Sequence, residues 1–400
     1  MVVTQDVPHT QWEAARLIRE DNKGHYLMIV QGTQSTLLEQ TEILSTQVLT
    51  IGSRSVKFLR QRCRRSSRAK SRIVRSIQPT TKRGPLMKRV RRLFTAALVV
   101  GVPWITASVP AFASNRPPRP AQVQILVHLD ISTKQQIESL AREPGGSLDA
   151  SFIFDGELAR INPAGQVSIL ATLPKPASGP NLAAGVARDH DGNLYVLYSA
   201  GSTALNGVWR LSPDGTLGRI VPMPADAQLN GMTLDERTQN MYFVDSVKGA
   251  VYRAPIGGGV ATVWVQTPGL ARLTFLGANG IHVREHAIWV SNTDQGTIVR
   301  FPIQGDGTAG SPTIVASGLV GIDDFAFLSD RGIVAAMNAP NRVVLIGRHG
   351  SITTLADSTN GTENPTTVLI RGSDIYVANG AYRTGVDPNI MLIQLNQGNG

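Results

Sequence analysis

From residue 138 to the C-terminus, apolar runs of four to seven residues rich in Val, Ile, Leu, Tyr and Phe alternate with Gly, Pro, Asn and Asp clusters. That is the pattern of short strands joined by turns. The runs repeat as units. The first reads ESLAREPGGSLDASFIFDGELARINPAG from Glu138, and the second opens AGVARDHDGNLYVLY from Ala184. The others start at Asn230 (NGMTLDERTQNMYFVD), Asn279 (NGIHVREHAIWVSN), Asp323 (DDFAFLSDRGIVAAMN) and Thr366 (TTVLIRGSDIYVANGAY). Successive starts are 46, 46, 49, 44 and 43 residues apart, the length of a four-stranded propeller blade and too long for a leucine-rich or ankyrin unit. Each third strand (ELARI, GVWRL, AVYRA, TIVRF, RVVLI, NIMLI) leads to a fourth, such as QVSILATLP, except in the last unit. The missing strand is found as QVQILVHLD, residues 122–130, ahead of the first unit. The pattern therefore predicts an all-β fold: a six-bladed β-propeller over residues 121–396, closed by an N-terminal strand that removes the open edge.

Composition changes the picture only at the front of the chain. The net charge of +10 is uneven: residues 1–120 hold 21 Lys and Arg against 6 Asp and Glu, leaving 18 against 23 for residues 121–400. The predicted propeller is mildly acidic, which argues against a basic phosphate-binding groove and a nucleic-acid partner there. From Met87 the chain reads MKRVRRLFTAALVVGVPWITASVPAFASN, a cationic start, an apolar run and Ala111-Phe112-Ala113. This is the plan of a signal peptide over residues 87–113, cleaved near Ala113 and followed by a linker at 114–120. It predicts export to a periplasm or the exterior. Arg91-Arg92 also permits twin-arginine export, and an uncleaved anchor is the other reading, although Pro103 interrupts an apolar run short of a ~20-residue span. Residues 1–86 include the basic, low-complexity stretch SRSVKFLRQRCRRSSRAKSRIVRS, of the kind that stays disordered. They are read as a disordered extension, or as sequence upstream of a true start at Met87. The single cysteine, Cys63, lies there, so the exported part has no disulfide.

The first strand of each blade lines a propeller's channel, so the six unit heads, Glu138, Ala184, Asn230, Asn279, Asp323 and Thr366, converge near one axis. Glu138, Asn230, Asn279 and Asp323 offer two carboxylates and two amide oxygens, a donor set for a hard divalent cation such as Ca2+. Zn2+ fits less well, for lack of Cys and of His at that phase. Two simpler readings stay open: Asn-Gly pairs form hairpin turns by themselves, and a metal held here could be structural rather than catalytic.

The repeat with Glu, Asn, Asn and Asp heading units one, three, four and five resembles the senescence marker protein/gluconolactonase family, also called regucalcin-like. Its wider relatives include diisopropyl fluorophosphatase and paraoxonase. The resemblance covers nearly all of residues 121–396. It implies a calcium-dependent propeller hydrolase of lactones or phosphotriesters, with Glu138, Asn230, Asn279 and Asp323 as metal ligands. Asp324 resembles a second residue beside the metal in paraoxonase-like members. The chain departs from the family at Pro144-Gly145-Gly146 in unit one and at Ala184, and matches neither its substrate-binding Arg nor its Asn. A more apolar lactone or ester is therefore expected in place of a sugar-acid lactone.

Ca2+ acidifies bound water less than Zn2+ does, so a base is needed, and Asp323 or Asp324 is expected to serve. Strict strand alternation places Asn279 and Ile281 on one face and turns His282 away from the channel. His190, in the DHDG turn, is expected to face solvent. Ser199, Asp245, Asn292, Asn338 and Asn379 end the second strands, where turn capping is the default role. No nucleophile elbow, phosphate loop or zinc spacing is present. The expected function is an exported, Ca2+-type metal-dependent hydrolase of lactones or related esters, a monomer acting on a small molecule with no lasting membrane partner. The alternative is a non-catalytic propeller binding a ligand or protein around a structural metal; a strictosidine-synthase-like condensing propeller is a third, weaker reading.

Overall fold

The structure is a computed structural model that describes residues 120–396 apart from 330, 331 and 349. The expected extension at 1–86, the signal peptide at 87–113, Cys63 and residues 114–119 of the linker lie outside the described residues. The alternating apolar runs form 24 strands in six antiparallel four-stranded sheets, with 3-10 turns as the helical elements of the described residues. The inner strands are Ile137–Arg142, Leu182–Arg188, Leu229–Asp235, Ala278–Arg284, Ile322–Phe327 and Pro365–Arg371. Each packs against the inner strands of its two neighbours, the first against the sixth. The architecture is a six-bladed β-propeller. Its sixth sheet comprises Pro365–Arg371, Asp374–Asn379, Asn389–Leu395 and, as the outermost strand, Pro120–His128.

The apolar core is not one body but six, each wedged between adjacent blades. Phe243, Leu197 and Met241 pack between the second and third blades; Ile281, Ile288, Val244 and Phe301 pack between the third and fourth. Ile137, Phe152, Ala378 and Ile390 fill the contact between first and sixth. One buried ionic staple adds to them: Asp149, fully buried, accepts from Arg160 Nε at 2.9 Å and from Arg188 NH1 of the next blade at 2.7 Å.

One irregularity repeats in all six blades and positions everything that follows. Each inner strand is bulged at its head. In the fourth blade Ala278 pairs with Asn292 and Ile281 with Val290, so three steps on one strand face two on the other; the same break falls after Ile137, Ala183, Leu229, Ile322 and Pro365. Such a bulge bends the strand and re-aims the side chains beyond it. The residue just after the break is in every case one of the six unit heads.

The bulge also explains the Asn-Gly pairs. Gly231 and Gly280 lie within strands and have no left-handed backbone, so they form no hairpin turn. Glycine is required because the next blade comes too close. A Cβ on Gly231 would lie 2.4 Å from the Asn279 carbonyl oxygen, and one on Gly185 would lie 2.4 Å from that of Asn230. These obstacles are backbone and cannot swing aside. Gly231→Ala is expected to cost about 1–3 kcal/mol as an overpacked contact, read as a lowered urea midpoint; an unchanged midpoint contradicts this packing.

Candidate functional site

Five of the six heads line one cavity of about 290 Å3. Glu138, Asn230, Asn279 and Asp323 all line it, together with Asp324, His282 and Thr367. The structure thus brings together every residue singled out from the sequence as ligand or base. Glu138, Asn279 and Asp323 are buried and Asn230 is half-buried. Thr366 is the fifth, non-ionising head at the cavity, and Ala184 does not line it. The Thr366 hydroxyl is spent on the Ile137 and Ala378 carbonyls.

Two heads, and the residue before a third, are held from the preceding blade by buried serines near the ends of the second strands. Ser151 Oγ donates to the Ala184 carbonyl, Ser246 Oγ to that of Ala278, and Ser291 Oγ to that of Asp323 at 2.6 Å. Ser291 also accepts from the Gly280 amide at 2.7 Å, so one hydroxyl sets the spacing between the fourth and fifth heads. The polar residues that end the second strands divide. Asp245 and Asn292 cap turns through Val247, Lys248 and Gln295 amides, and Asn379 accepts from the Glu363 amide. Ser199 accepts from the Leu229 amide, in the third inner strand. Asn338 instead turns inward, its amide donating to Asp323 Oδ2 at 3.2 Å.

Electrostatically the ring is under tension. Burial pushes the Glu138 carboxyl up to about 7; a hydrogen bond from Tyr382 opposes the rise and the charge on Asp324 adds to it. Asp323 is held well above the usual carboxylate range, first by burial and then by the charges of Glu138 and Asp324, with the Asn279 and Asn338 amides in opposition. Burial and the nearby Glu138 raise the Tyr382 phenol in turn. The Tyr382 hydroxyl donates to Glu138 Oε2 and to the Ile137 carbonyl. Desolvated like charges favour the protonated forms unless a cation is present.

Two features fit a cation. Asn279 donates its amide hydrogen to Thr293 Oγ1 at 2.9 Å, which leaves Asn279 Oδ1 buried with no hydrogen-bond partner. An orphaned buried acceptor is unfavourable and calls for a ligand. The donors are also all oxygen, two anionic and two neutral, as a hard divalent ion prefers. Among the described residues no three of His, Cys, Asp and Glu form a metal group; the candidate set pairs carboxylates with amides.

His282 corrects the expectation from alternation. Because the bulge at Asn279-Gly280 inserts a residue, Ile281 enters the inter-blade core and His282 lines the cavity. Its Nε2 lies 2.9 Å from Asp324 Oδ1, and Thr367 Oγ1 donates to Asp324 Oδ2. The ring packs edge-on to Phe325 at 4.8 Å. His190 is 71% exposed and pairs with Asp191 and Glu236 at the surface, away from the site.

Two contributors escaped the sequence reading. Tyr382 approaches Glu138 from 244 positions along the chain, and only the polar ending NGAY of the sixth unit hinted at it. Ser291 stood in view within VSN, but its inward aim depends on the bulge opposite.

No protein-family model matches the chain, and no curated protein matches it. Among solved structures it is similar to a gluconolactonase from Xanthomonas campestris, at 16% identity and a TM-score of 0.53, over 71% of this chain and 96% of that one. It is also similar to regucalcin, a calcium-binding protein from Agrobacterium tumefaciens, at 13% identity and a TM-score of 0.51, over 68% and 96% of the two chains. What these similarities establish is architecture: the chain has the six-bladed propeller fold shared by gluconolactonase and regucalcin.

Proposed function

We propose that the chain is an exported, divalent-cation-dependent hydrolase, of Ca2+ type, acting on small lactones or related esters. The observation that carries this reading is the meeting of two buried, charge-strained carboxylates with an unpartnered buried amide oxygen, on four strands around one cavity. Glu138, Asn230, Asn279 and Asp323 would hold the cation. Bound there, Ca2+ would polarise the substrate carbonyl and favour the oxyanion that develops on attack by water.

The chain's own residues account for the rest. Asn338 and Ser291 hold Asp323 in place, and Tyr382 holds Glu138. Asp323 would also orient the attacking water. Met232, Ala326 and Phe327 give the cavity an apolar wall, which suits an apolar acyl group better than a polyhydroxylated one. A volume of about 290 Å3 admits a small substrate only. The lactonase named among the fold neighbours and the calcium-binding description of the other support the reading. A monomer with a small-molecule substrate and no nucleic-acid partner completes it.

A panel of lactones and aryl esters with added Ca2+ is the test. Turnover that disappears on chelation and in Asp323→Ala is the expected result. Ca2+-strengthened folding without turnover on any member would favour instead a binding propeller with a structural ion.

A further inference from the structure

We infer that His282 is the proton acceptor of this site and that Asp324 acts behind it as a positioning residue. The inference rests on the hydrolase reading and refines it. Both oxygens of Asp324 are engaged, Oδ1 with His282 Nε2 and Oδ2 with the Thr367 hydroxyl, which holds that carboxylate against the imidazole. The same contact fixes the imidazole. With Nε2–H donating to Asp324, the free lone pair belongs to Nδ1. Among the described residues no hydrogen-bond partner is found for Nδ1, and the side chain is 31% exposed within the cavity.

This arrangement, a carboxylate orienting one imidazole nitrogen so that the other accepts a proton, is that of a general base. Its place is also right. His282 follows Asn279 by three residues on one strand, past the bulge that turns both toward the same cavity. Phe325 and Phe327 pack edge-on to the ring at 4.8 and 6.3 Å and restrict its rotation.

The step balances with water alone. Water oxygen bonds to the substrate carbonyl carbon while His282 Nδ1 takes a water proton, and the carbonyl π pair moves to oxygen. On collapse the C–O bond of the ester or lactone breaks, and the departing alkoxide takes the proton back from the imidazolium. Acid and alcohol, or the opened hydroxy acid, are the products.

Phenyl acetate and γ- and δ-lactone hydrolysis in Ca2+ would be measured for wild type, His282→Gln, His282→Ala and Asp324→Asn. In His282→Gln, kcat is expected to fall about 100-fold or more with KM held within about twofold, the scale of a lost general base. Added imidazole should restore part of the turnover of His282→Ala, which a merely structural histidine would not show. The Ca2+-induced rise in melting temperature should be unchanged in both His282 variants. Independently of turnover, long-range 1H–15N spectra of the wild type should show His282 as the Nε2–H tautomer. This measurement stands even where a variant fails to fold. An Nδ1–H tautomer, or His282→Gln turning over within about twofold of wild type, overturns the assignment and leaves the hydrolase reading intact. A wild type inert on every substrate overturns both.

Discussion

Asp323→Asn is expected to cut lactone and ester turnover sharply while making the metal-free protein harder to unfold. The two effects share a cause. Asp323 is buried and raised well above the carboxylate range by desolvation, Glu138 and Asp324, so its charge disfavours the fold whenever no cation neutralises it. An amide of the same shape removes that charge and can still accept hydrogen bonds. Removing the charge is expected to raise the melting temperature in chelator by a few degrees, the scale of one stabilising substitution in a domain of this size. The same change removes one of two anionic donors, so kcat should fall by about 100-fold or more, as when one stabilising group is lost from an oxyanion site. Thermal unfolding in chelator and turnover in Ca2+ would be measured side by side. A variant less stable than wild type in chelator contradicts the account of a charge-strained ring.

Acidification should stabilise the metal-free protein over a range where most proteins are indifferent or weakened. Glu138 sits at about 7 in the fold against an ordinary 4.5, so between these values the folded state binds the proton more tightly than the unfolded one. The group's contribution is complete below about 4.5 and is lost as pH rises through 7. The gap corresponds to about 3 kcal/mol, or roughly 8 °C between pH 8 and pH 5. Glu138→Gln should flatten this dependence. Saturating Ca2+, which binds the ionised carboxylates, should reverse its sign. Equal pH slopes in wild type and Glu138→Gln in chelator would contradict the assignment.

The repeat was legible because each blade writes the same phase of apolar and polar residues, so the heads Glu138, Asn230, Asn279 and Asp323 could be aligned without coordinates. Their convergence then followed from the ring. Alternation failed where the backbone departs from a plain strand. The bulge after Ala278 shifts the register by one residue, and that single step carries His282 from a blade interior to the cavity. The glycines that permit it were read as turn signals or ligand neighbours. Their reason is the 2.4 Å approach of the next blade's carbonyl, a contact between residues 45 and 48 positions apart. Tyr382 was hidden for the same reason, because its partner lies 244 residues away along the chain. Substrate preference has no local code at all, since the cavity wall is assembled from inner strands of several blades.

Metal content measured after equilibrium dialysis against Ca2+, for the wild type and for the doubly substituted Asn230→Ala, Asn279→Ala protein, addresses the shared cation most directly. The account predicts one tightly held Ca2+ per wild-type chain and less than about a tenth of that occupancy in the double variant, whose two neutral donors are gone. Equal occupancy in the two proteins, or none in either, would contradict it.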